Sequence, residues 1–476
     1  MADFSTPYHS RDKKESGRRK KESVGNTGRL FRSVQFVSAC QLSNMVREVD
    51  LRSDTVTKPT PAMRKAMAEA VVGDDVYKED PTINELEEKI AEFLGKEAAL
   101  FVASGTMGNL SAVMAHCWTR GQEIIMGDQS HMFMYEQGGI SSLAGVHVSS
   151  IPTLEDGTFD LEVLKEKIRP RNPNMHEPST GLICLENSHN RCGGKVLPLS
   201  YIREVCALAR NNDIPVHMDG ARIINASVHC GVPAHEIVKE CASVSMCLSK
   251  GIGAPWGLLW RFQTFTKREL SLFSRIKNFF LMIQTFIVML YKPHILTAFG
   301  VHRCRKVLGG AMRQAGVLAA AALVALESAE ERIRIDHQRT KKFAQEIYNL
   351  KSKLITCDPA IDSNMILLQF PSPNFTNEDF VRRMAEVKIE DKEQVVVKAC
   401  PWYRNRVRCV LHSDLTQEDL DSALMKIRAI ANKQDPDAVV VKAGLRDKNR
   451  VRCVIHSDLN EEHLEWALQK IRKILG

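Results

Sequence analysis

Short apolar runs alternate with helical stretches through the first half of the chain. The runs cover residues 99–103, 123–126, 181–186, 216–219 and 243–248, and helical patterns lie near 108–118 and 199–212. Parallel strands need a long crossover connection, usually a helix, so alternation of this kind is typical of a mainly parallel sheet wrapped by helices. The sequence therefore predicts an α/β fold.

The length of the chain indicates more than one domain. At 476 residues, 44% of them apolar, it exceeds one ordinary core and can bury two. We expect a disordered basic tail over residues 1–45, a large domain over 46–333 and a small α+β domain over 334–476. An Ala-rich stretch at 314–334 predicts one long helix between the two domains. The small domain should contain strands near 364–370 and 407–411 and helices near 377–387 and 417–431.

The C-terminal region contains an internal repeat. Residues 395–430 recur as 439–474 at a constant offset of 44. Two copies of one strand-helix unit are too few for a solenoid, so the pattern indicates a tandem duplication.

Charge and cysteine content argue against a nucleic-acid partner and for an intracellular protein. The net charge is +8, but residues 1–44 contribute +5 and residues 261–306 contribute +8, so the remainder carries −5. The basic balance is therefore local and not a nucleic-acid face. The 13 cysteines form no Cys-x-x-Cys pair and no apolar signal region precedes Asp50, so we expect reduced thiols in the cytoplasm.

Two of the apolar runs end beside ionisable residues. Residues 214–218 lead into Asp219-Gly220-Ala221-Arg222, and residues 243–248 lead into Ser249-Lys250-Gly251. Neighbouring strands of an open α/β sheet deliver their carboxyl ends to one crevice. A pyridoxal phosphate enzyme needs a lysine to bind the cofactor aldehyde and a carboxylate to keep the pyridine nitrogen protonated. The pair predicts that cofactor.

A glycine-rich turn and two histidines fall at related places. Residues 104–109 follow a strand and open a helix, a context that binds phosphate, although such turns are also ordinary loops. His131 lies in a loop after a strand, where it could stack on a planar cofactor or be a surface histidine. His189 also follows a strand, where it could act as an acid, a base or an aldehyde-orienting group, or could stabilise the loop.

Three arginines are candidates for holding a substrate carboxylate. Arg222 follows Asp219 by three residues, close enough to reach either a cofactor oxygen or a substrate carboxylate. Arg408 and Arg452 occupy matched places in the two repeat copies. A guanidinium binds a carboxylate in two-point geometry, whereas the alternative for each is a solvated arginine.

These motifs resemble those of the L-threonine aldolases, the low-specificity and allo-threonine types, which are pyridoxal phosphate enzymes of fold type I. The resemblance implies a large domain with a mainly parallel sheet of the seven-stranded type and a smaller α+β domain. It covers most of the ordered chain. The matching segments, in the family's order, are residues 51–55, 104–109, 185–189, 219–222, 249–255 and 312–316.

The resemblance implies roles for residues around the cofactor. Lys250 would bind the cofactor aldehyde and Asp219 the pyridine nitrogen, while His131 would stack on the ring. The phosphate would be held by Gly105 and Thr106. The resemblance also assigns two residues to a neighbouring subunit of a homotetramer whose sites lie across a dimer interface, Lys306 and Arg313.

It also implies a substrate and a reaction. Ser53, Arg222 and one of Arg408 or Arg452 would hold the substrate carboxylate, and His189 would face its side chain. We favour Arg408, because Pro401-Trp402 upstream is the more family-like context. The reaction would cleave threonine or allo-threonine to glycine and acetaldehyde, a step of threonine catabolism and glycine biosynthesis. The base, a histidine or a bound water, is left open, and no metal is expected.

Two departures from the family pattern keep alternatives open. Residues 258–304 are about twenty residues longer than the corresponding segment of the family, so they contain an insertion. The 13-residue apolar run at 279–291 is shorter than the ~20 residues needed to span a bilayer, so no membrane partner is expected. The duplicated unit is the second departure. Another pyridoxal phosphate-dependent lyase or racemase, or an inactive paralogue disrupted by these additions, is the alternative function.

Overall fold

The computed structural model describes residues 46–171, 175–255, 258–262, 294–387, 394–432, 444–447 and 450–452. The predicted tail at 1–45, most of the insertion and most of the second repeat copy lie outside these residues. The apolar run at 279–291 lies outside them as well. Among the described residues, no helix combines the length and apolar character needed to cross a membrane.

The strands number fifteen within the described ranges. In chain order they are β1 (Arg47–Asp50), β2 (Ala98–Val102), β3 (Gln122–Gly127), β4 (His147–Ile151), β5 (Ser179–Glu186), β6 (Val216–Asp219), β7 (Ser243–Cys247), β8 (Leu258–Phe262), β9 (Thr356–Cys357), β10 (Met365–Gln369), β11 (Val395–Lys398), β12 (Cys400–Trp402), β13 (Arg406–Val410), β14 (Gly444–Asp447) and β15 (Arg450–Arg452).

Helices connect most of these strands. The α-helices are Pro61–Glu69, Pro81–Phe93, Gly105–His116, His131–Met134, Gly139–Ser142, Leu161–Lys167, Leu199–Asn211, Ile223–Cys230, Ala234–Ile237, His294–Val307, Gly316–Leu326, Ala329–Asn349, Asn377–Ala385 and Gln417–Ala431. Two short 3-10 helices span Asp54–Val56 and Asp75–Tyr77.

The central sheet has seven strands in the order β2-β8-β7-β6-β5-β3-β4. Strands β4, β3, β5, β6 and β7 pair in parallel, and β8 is antiparallel to both of its neighbours, β7 and β2. The predicted α/β class with a mainly parallel seven-stranded sheet is confirmed. A second sheet, β12-β13-β10-β9, is antiparallel and belongs to the C-terminal α+β region.

Two hydrophobic clusters form most of the core. The larger one packs helices against the central sheet and includes Phe101, Ile125 and Met218. The other packs the C-terminal strands and helices, and it also contains Val49 and Leu51, because β1 pairs in parallel with β11. The N-terminal strand thus joins the C-terminal cluster, although the two are far apart in sequence. The domain boundaries given above stay a prediction.

The prediction of one helix over 314–334 is wrong. The structure has two helices there, Gly316–Leu326 and Ala329–Asn349, separated at Glu327 and Ser328. Arg332 donates to the carbonyl of Ala325 (2.6 Å) and to that of Ile252 (2.7 Å), so it satisfies an acceptor near the first helix's end. This contact is tertiary, and helical periodicity does not reveal it.

Candidate active site

Four adjacent parallel strands deliver side chains to one edge of the central sheet. Asp219 is the last residue of β6 and Glu186 the last residue of β5, and these two residues are paired in register. Lys250 follows the end of β7, and His131 follows the end of β3. The carboxyl ends of parallel strands point the same way, so these residues surround one crevice.

Asp219 lies at the base of this crevice and is 3% exposed. Its Oδ2 accepts a hydrogen bond from Asn109 Nδ2 (3.0 Å), and its Oδ1 accepts from the backbone N–H of Ala221 (3.1 Å). Burial opposes ionisation, but His131 and Lys250 are close enough to lower the pKa of Asp219. The carboxylate is therefore held as an anion, the state needed to bind a protonated ring nitrogen.

Lys250 occupies the turn after β7. Its carbonyl accepts from the backbone N–H of Gly253 (2.7 Å), which closes this turn. The side chain is half-buried, and its positive charge contributes to lowering the pKa values of Asp219 and Asp54 against the effect of burial. Within the described part of the chain the amine forms no ion pair, so it is free to react with an aldehyde.

His131 is anchored by Glu136. The His131 Nδ1 lies 3.2 Å from Glu136 Oε1, and the backbone N–H of His131 donates to Glu186 Oε2 (2.6 Å). Burial lowers the pKa of His131, but the Glu136 hydrogen bond and Asp219 outweigh it and raise that pKa overall. The ring is 30% exposed, so one face can meet a ligand in the crevice.

The helix that follows β2 begins beside the crevice, since its Asn109 contacts Asp219 one turn later. The helix Gly105–His116 begins directly after the β2 segment, and Ser104 Oγ accepts from the backbone N–H of Met107 (3.2 Å). Gly105 and Thr106 leave first-turn N–H groups without intrahelical partners, as in any helix. Such a terminus is a suitable site for a phosphate.

Arg222 forms a buried ion pair with Asp54. Its Nη2 and Nε donate to Asp54 Oδ1 (2.6 Å) and Oδ2 (2.8 Å), and the side chains are 4% and 0% exposed. Burial alone would raise the pKa of Asp54, but Arg222 outweighs it and holds that pKa well below its usual range. Asp54 therefore supplies the counter-charge of the buried Arg222.

Arg408 approaches Arg222 from the antiparallel sheet. Its Nη1 donates to Asn190 Oδ1 (2.6 Å), which also lies 3.5 Å from Arg222 Nη1, and its Nη2 donates to the carbonyl of Arg52 (3.0 Å). The guanidinium stacks over the Trp402 ring at 4.3 Å. Its buried Nε has no hydrogen-bond partner among the described residues. Burial, and then Arg222, lower the pKa of Arg408.

His189 is placed by the loop after β5. It is 2% exposed, its Nδ1 accepts from the backbone N–H of Cys192 (3.4 Å), and its Nε2 lies 3.9 Å from Glu186 Oε2. A backbone N–H can only donate, so the proton of the neutral ring is on Nε2. In this arrangement His189 is a donor at Nε2.

The remaining sequence-predicted residues lie in different places. Ser53 caps the helix Asp54–Val56 by accepting from Thr55 (3.2 Å), next to the Arg222 ion pair. Lys306 and Arg313 are exposed, and Arg313 pairs with Asp74 (2.8 Å). No hydrogen bond or ion pair among the described residues joins either to the crevice. Arg452 is in β15, and its side chain lies outside the described contacts.

Several buried polar residues of the site were missed by sequence reasoning. Asn109, Asp54 and Asn190 contact Asp219, Arg222 and Arg408 directly; the first two stand inside motifs that were singled out. Glu136 anchors His131 but carries no signal in the sequence.

The residues present fit pyridoxal phosphate. An unpaired amine, a buried ionised carboxylate and a helix N-terminus match the aldehyde, the ring nitrogen and the phosphate of this cofactor. The fold and the site thus define a pyridoxal phosphate-dependent enzyme.

Comparison with known proteins agrees with this class. The profile of the beta-eliminating lyase family matches residues 50–370, so the chain belongs to that family. The chain is 41% identical over 381 residues to the low-specificity L-threonine aldolase 1 of Arabidopsis thaliana, covering 80% of this chain and 95% of the relative. It is 36% identical over 382 residues to the low specificity L-threonine aldolase of Escherichia coli K12, covering 80% of this chain and 98% of the relative.

Solved structures agree on the fold. The threonine aldolase of Leishmania major superimposes with a TM-score of 0.61 at 14% identity, covering 80% of this chain and 99% of that chain. The expected family, enzyme class and cofactor are confirmed. The roles of individual site residues stay predictions.

Proposed function

We propose that this enzyme cleaves the Cα–Cβ bond of L-threonine and L-allo-threonine to give glycine and acetaldehyde. The relatives named as threonine aldolases support this substrate class. The observation that carries the proposal is the pair of arginines that converges on Asn190 beside the Asp219 crevice.

The charges of this pair favour an amino acid carboxylate. Arg222 is neutralised by Asp54, whereas Arg408 forms no ion pair with a carboxylate of the described residues. Arg222, Asp54 and Arg408 together therefore carry a surplus of one positive charge, and the unpartnered donor among the described contacts of this group is Arg408 Nε. A buried guanidinium is stabilised by a carboxylate in two-point geometry. A monoanionic α-carboxylate satisfies both the charge and the donor.

The other residues of the site have separate roles in binding the cofactor and the substrate. When bound, pyridoxal phosphate supplies the electron sink that accepts the electrons of the breaking bond. Asp219 would keep the ring nitrogen protonated, and His131 would cover one face of the ring. His189 donates through Nε2 and orients the substrate hydroxyl, so the group that removes the hydroxyl proton is His131 or a water. Lys250 would supply the amine that holds the cofactor aldehyde, and as the amine nearest the ring it would return the proton that completes glycine.

We also propose that the active form is a homotetramer located in the cytoplasm, acting in threonine catabolism and glycine supply. Apolar side chains around one cavity of about 690 Å³ support a subunit contact, since Trp118 is 60% and Val307 74% exposed there. Lys306 lines the same cavity, and it would reach a partner's site together with Arg313. Light scattering of the purified protein tests the assembly, and a fluorescent fusion tests the location.

The reaction is tested with protein purified in the presence of pyridoxal phosphate. Acetaldehyde and glycine are measured after addition of L-threonine or L-allo-threonine, with Lys250→Ala as the control. We expect both products in equal amounts from the wild type and none from the variant. Visible cofactor absorbance without aldehyde would contradict the proposal. In that case chiral analysis of the remaining amino acid separates a racemase from another lyase.

A further inference from the structure

A line of buried polar side chains runs from Asp219 into the interface between the central sheet and the helix Gly105–His116. We call this line the polar seam. Asn109, His217, Ser243 and Ser245 are at most 2% exposed, although helix-sheet interfaces are usually apolar. The seam ends at half-buried His116. Polar groups at such positions destabilise the fold unless they are hydrogen-bonded.

Secondary-structure geometry explains how these residues meet. His217 and Asp219 are two residues apart on β6 and face the same side of the sheet. The parallel register places Ser243 beside His217 and Ser245 beside Asp219. On the helix above them, Asn109 and His116 are seven residues apart, so they share one helix face.

Hydrogen bonds join the seam into one chain. Asn109 Nδ2 donates to Asp219 Oδ2 (3.0 Å) and to Glu136 Oε1 (2.9 Å). Asn109 Oδ1 lies 2.7 Å from Ser245 Oγ and 3.1 Å from His217 Nε2. His217 Nδ1 lies 2.9 Å from Ser243 Oγ, and that oxygen lies 2.9 Å from His116 Nε2.

The chemistry of these groups fixes the direction of the chain. Two carboxylates can only accept, so the Asn109 amide must direct its N–H groups to them and its oxygen to His217. His217 therefore carries its proton on Nε2. Burial lowers the pKa of His217 to about 4, so the ring is neutral near pH 7 and its Nδ1 accepts from Ser243.

We propose that His217 and Asn109 are positioning residues that hold the Asp219 carboxylate toward the cofactor ring nitrogen. His217 and Ser245 both donate to Asn109 Oδ1, and the His217 donor adds to the groups that prevent the amide from rotating. A rotated amide would turn its oxygen toward Asp219, and the carboxylate would lose a donor. This inference rests on the proposed function, because the ring nitrogen of pyridoxal phosphate is the group that Asp219 would bind.

The test compares His217→Phe with His217→Gln in protein loaded with pyridoxal phosphate. Phenylalanine removes the donor, whereas the Gln amide N–H can replace Nε2–H. A hydrogen bond to a charged group is worth about tenfold or more in an equilibrium constant. For His217→Phe we expect a cofactor Kd about tenfold higher, an altered visible absorbance and a lower kcat, with KM for threonine within about twofold. His217→Gln should restore all three.

The matched control is Ser111→Ala, on the same helix and fully buried, whose hydroxyl has no hydrogen-bond partner in the described structure. It should behave as wild type. If His217→Phe does not fold, Ser243→Ala, which removes the donor to His217 Nδ1 together with the hydrogen-bond partner of His116 Nε2, should weaken cofactor binding severalfold. Wild-type Kd, absorbance and kcat in a folded His217→Phe or in Ser243→Ala would overturn the inference.

A second measurement separates this inference from the proposed function. Solid-state ¹⁵N NMR of cofactor-free protein labelled at histidine should show the signals of a neutral ring protonated on Nε2. These signals should be absent from the spectrum of His217→Gln, which identifies them as those of His217. A His217 ring protonated on Nδ1 would overturn the inference whether or not the protein cleaves threonine. If wild-type protein cleaves no threonine but the NMR result holds, only the proposed function fails.

Discussion

Replacing Asp54 with asparagine should destabilise the fold strongly, although the two side chains have nearly the same size and shape. The substitution leaves the Arg222 guanidinium buried without a counter-charge, and removing one partner of a buried ion pair costs about 3–5 kcal/mol. The asparagine oxygen can still accept one of the two hydrogen bonds, which recovers about 1 kcal/mol. We therefore expect a net loss of about 2–4 kcal/mol.

The assay is thermal unfolding of cofactor-free protein at one fixed concentration, because assembly makes the midpoint concentration-dependent. Glu85→Gln is the matched control, since its ion pair with Lys89 spans 2.7 Å but both side chains are 53% exposed. That pair is worth at most about 0.5 kcal/mol. Asp54→Asn should lower the midpoint by several degrees and Glu85→Gln by less than one. Equal midpoints for the two variants would refute the reasoning.

Two further predictions concern a buried acid and the duplicated arginines. Burial raises the pKa of Asp336 from 3.8 to about 7, so its contribution to stability is present below pH 4 and is lost as pH rises toward 7. Asp336→Asn should remove this pH-dependent loss, which amounts to up to about 4 kcal/mol of unfolding free energy at pH 8. Urea unfolding of wild type and variant at several pH values measures it. A stability difference between the two proteins that does not change with pH would contradict this. Arg408→Ala should raise KM for threonine at least tenfold because the unpaired donor is lost, whereas Arg452→Ala should leave the kinetics unchanged. The opposite result would assign the carboxylate to the second repeat copy.

Apolar runs in the sequence were sufficient to predict five strands of a mainly parallel sheet and the edge at which the crevice lies, whereas the seven-stranded type was implied by the family resemblance. The apolar runs predicted β5, β6 and β7 with small errors at the strand ends. Because these strands are parallel, the residues that follow them were expected at the same edge of the sheet. Cross-chain partners could not be predicted this way. Asp54 and Arg222 are 168 residues apart, and only the fold brings them into contact.

The polar seam was partly accessible from the sequence. His217 and Asp219 are two positions apart, so a β-strand at 216–219 already places both side chains on one face of the sheet. Its partner Asn109 is on a helix, and the contact depends on how that helix crosses the sheet. Glu136 lies in a loop, for which periodicity predicts no direction.

The most direct test of the account is to identify the lysine that binds the cofactor. Borohydride reduction of the protein loaded with pyridoxal phosphate, followed by digestion and mass spectrometry, locates the modified side chain. We predict one modified peptide, the one that contains Lys250. Modification at another lysine such as Lys306, with Lys250 unmodified, would contradict the assignment of the crevice between β6 and β7 as the active site.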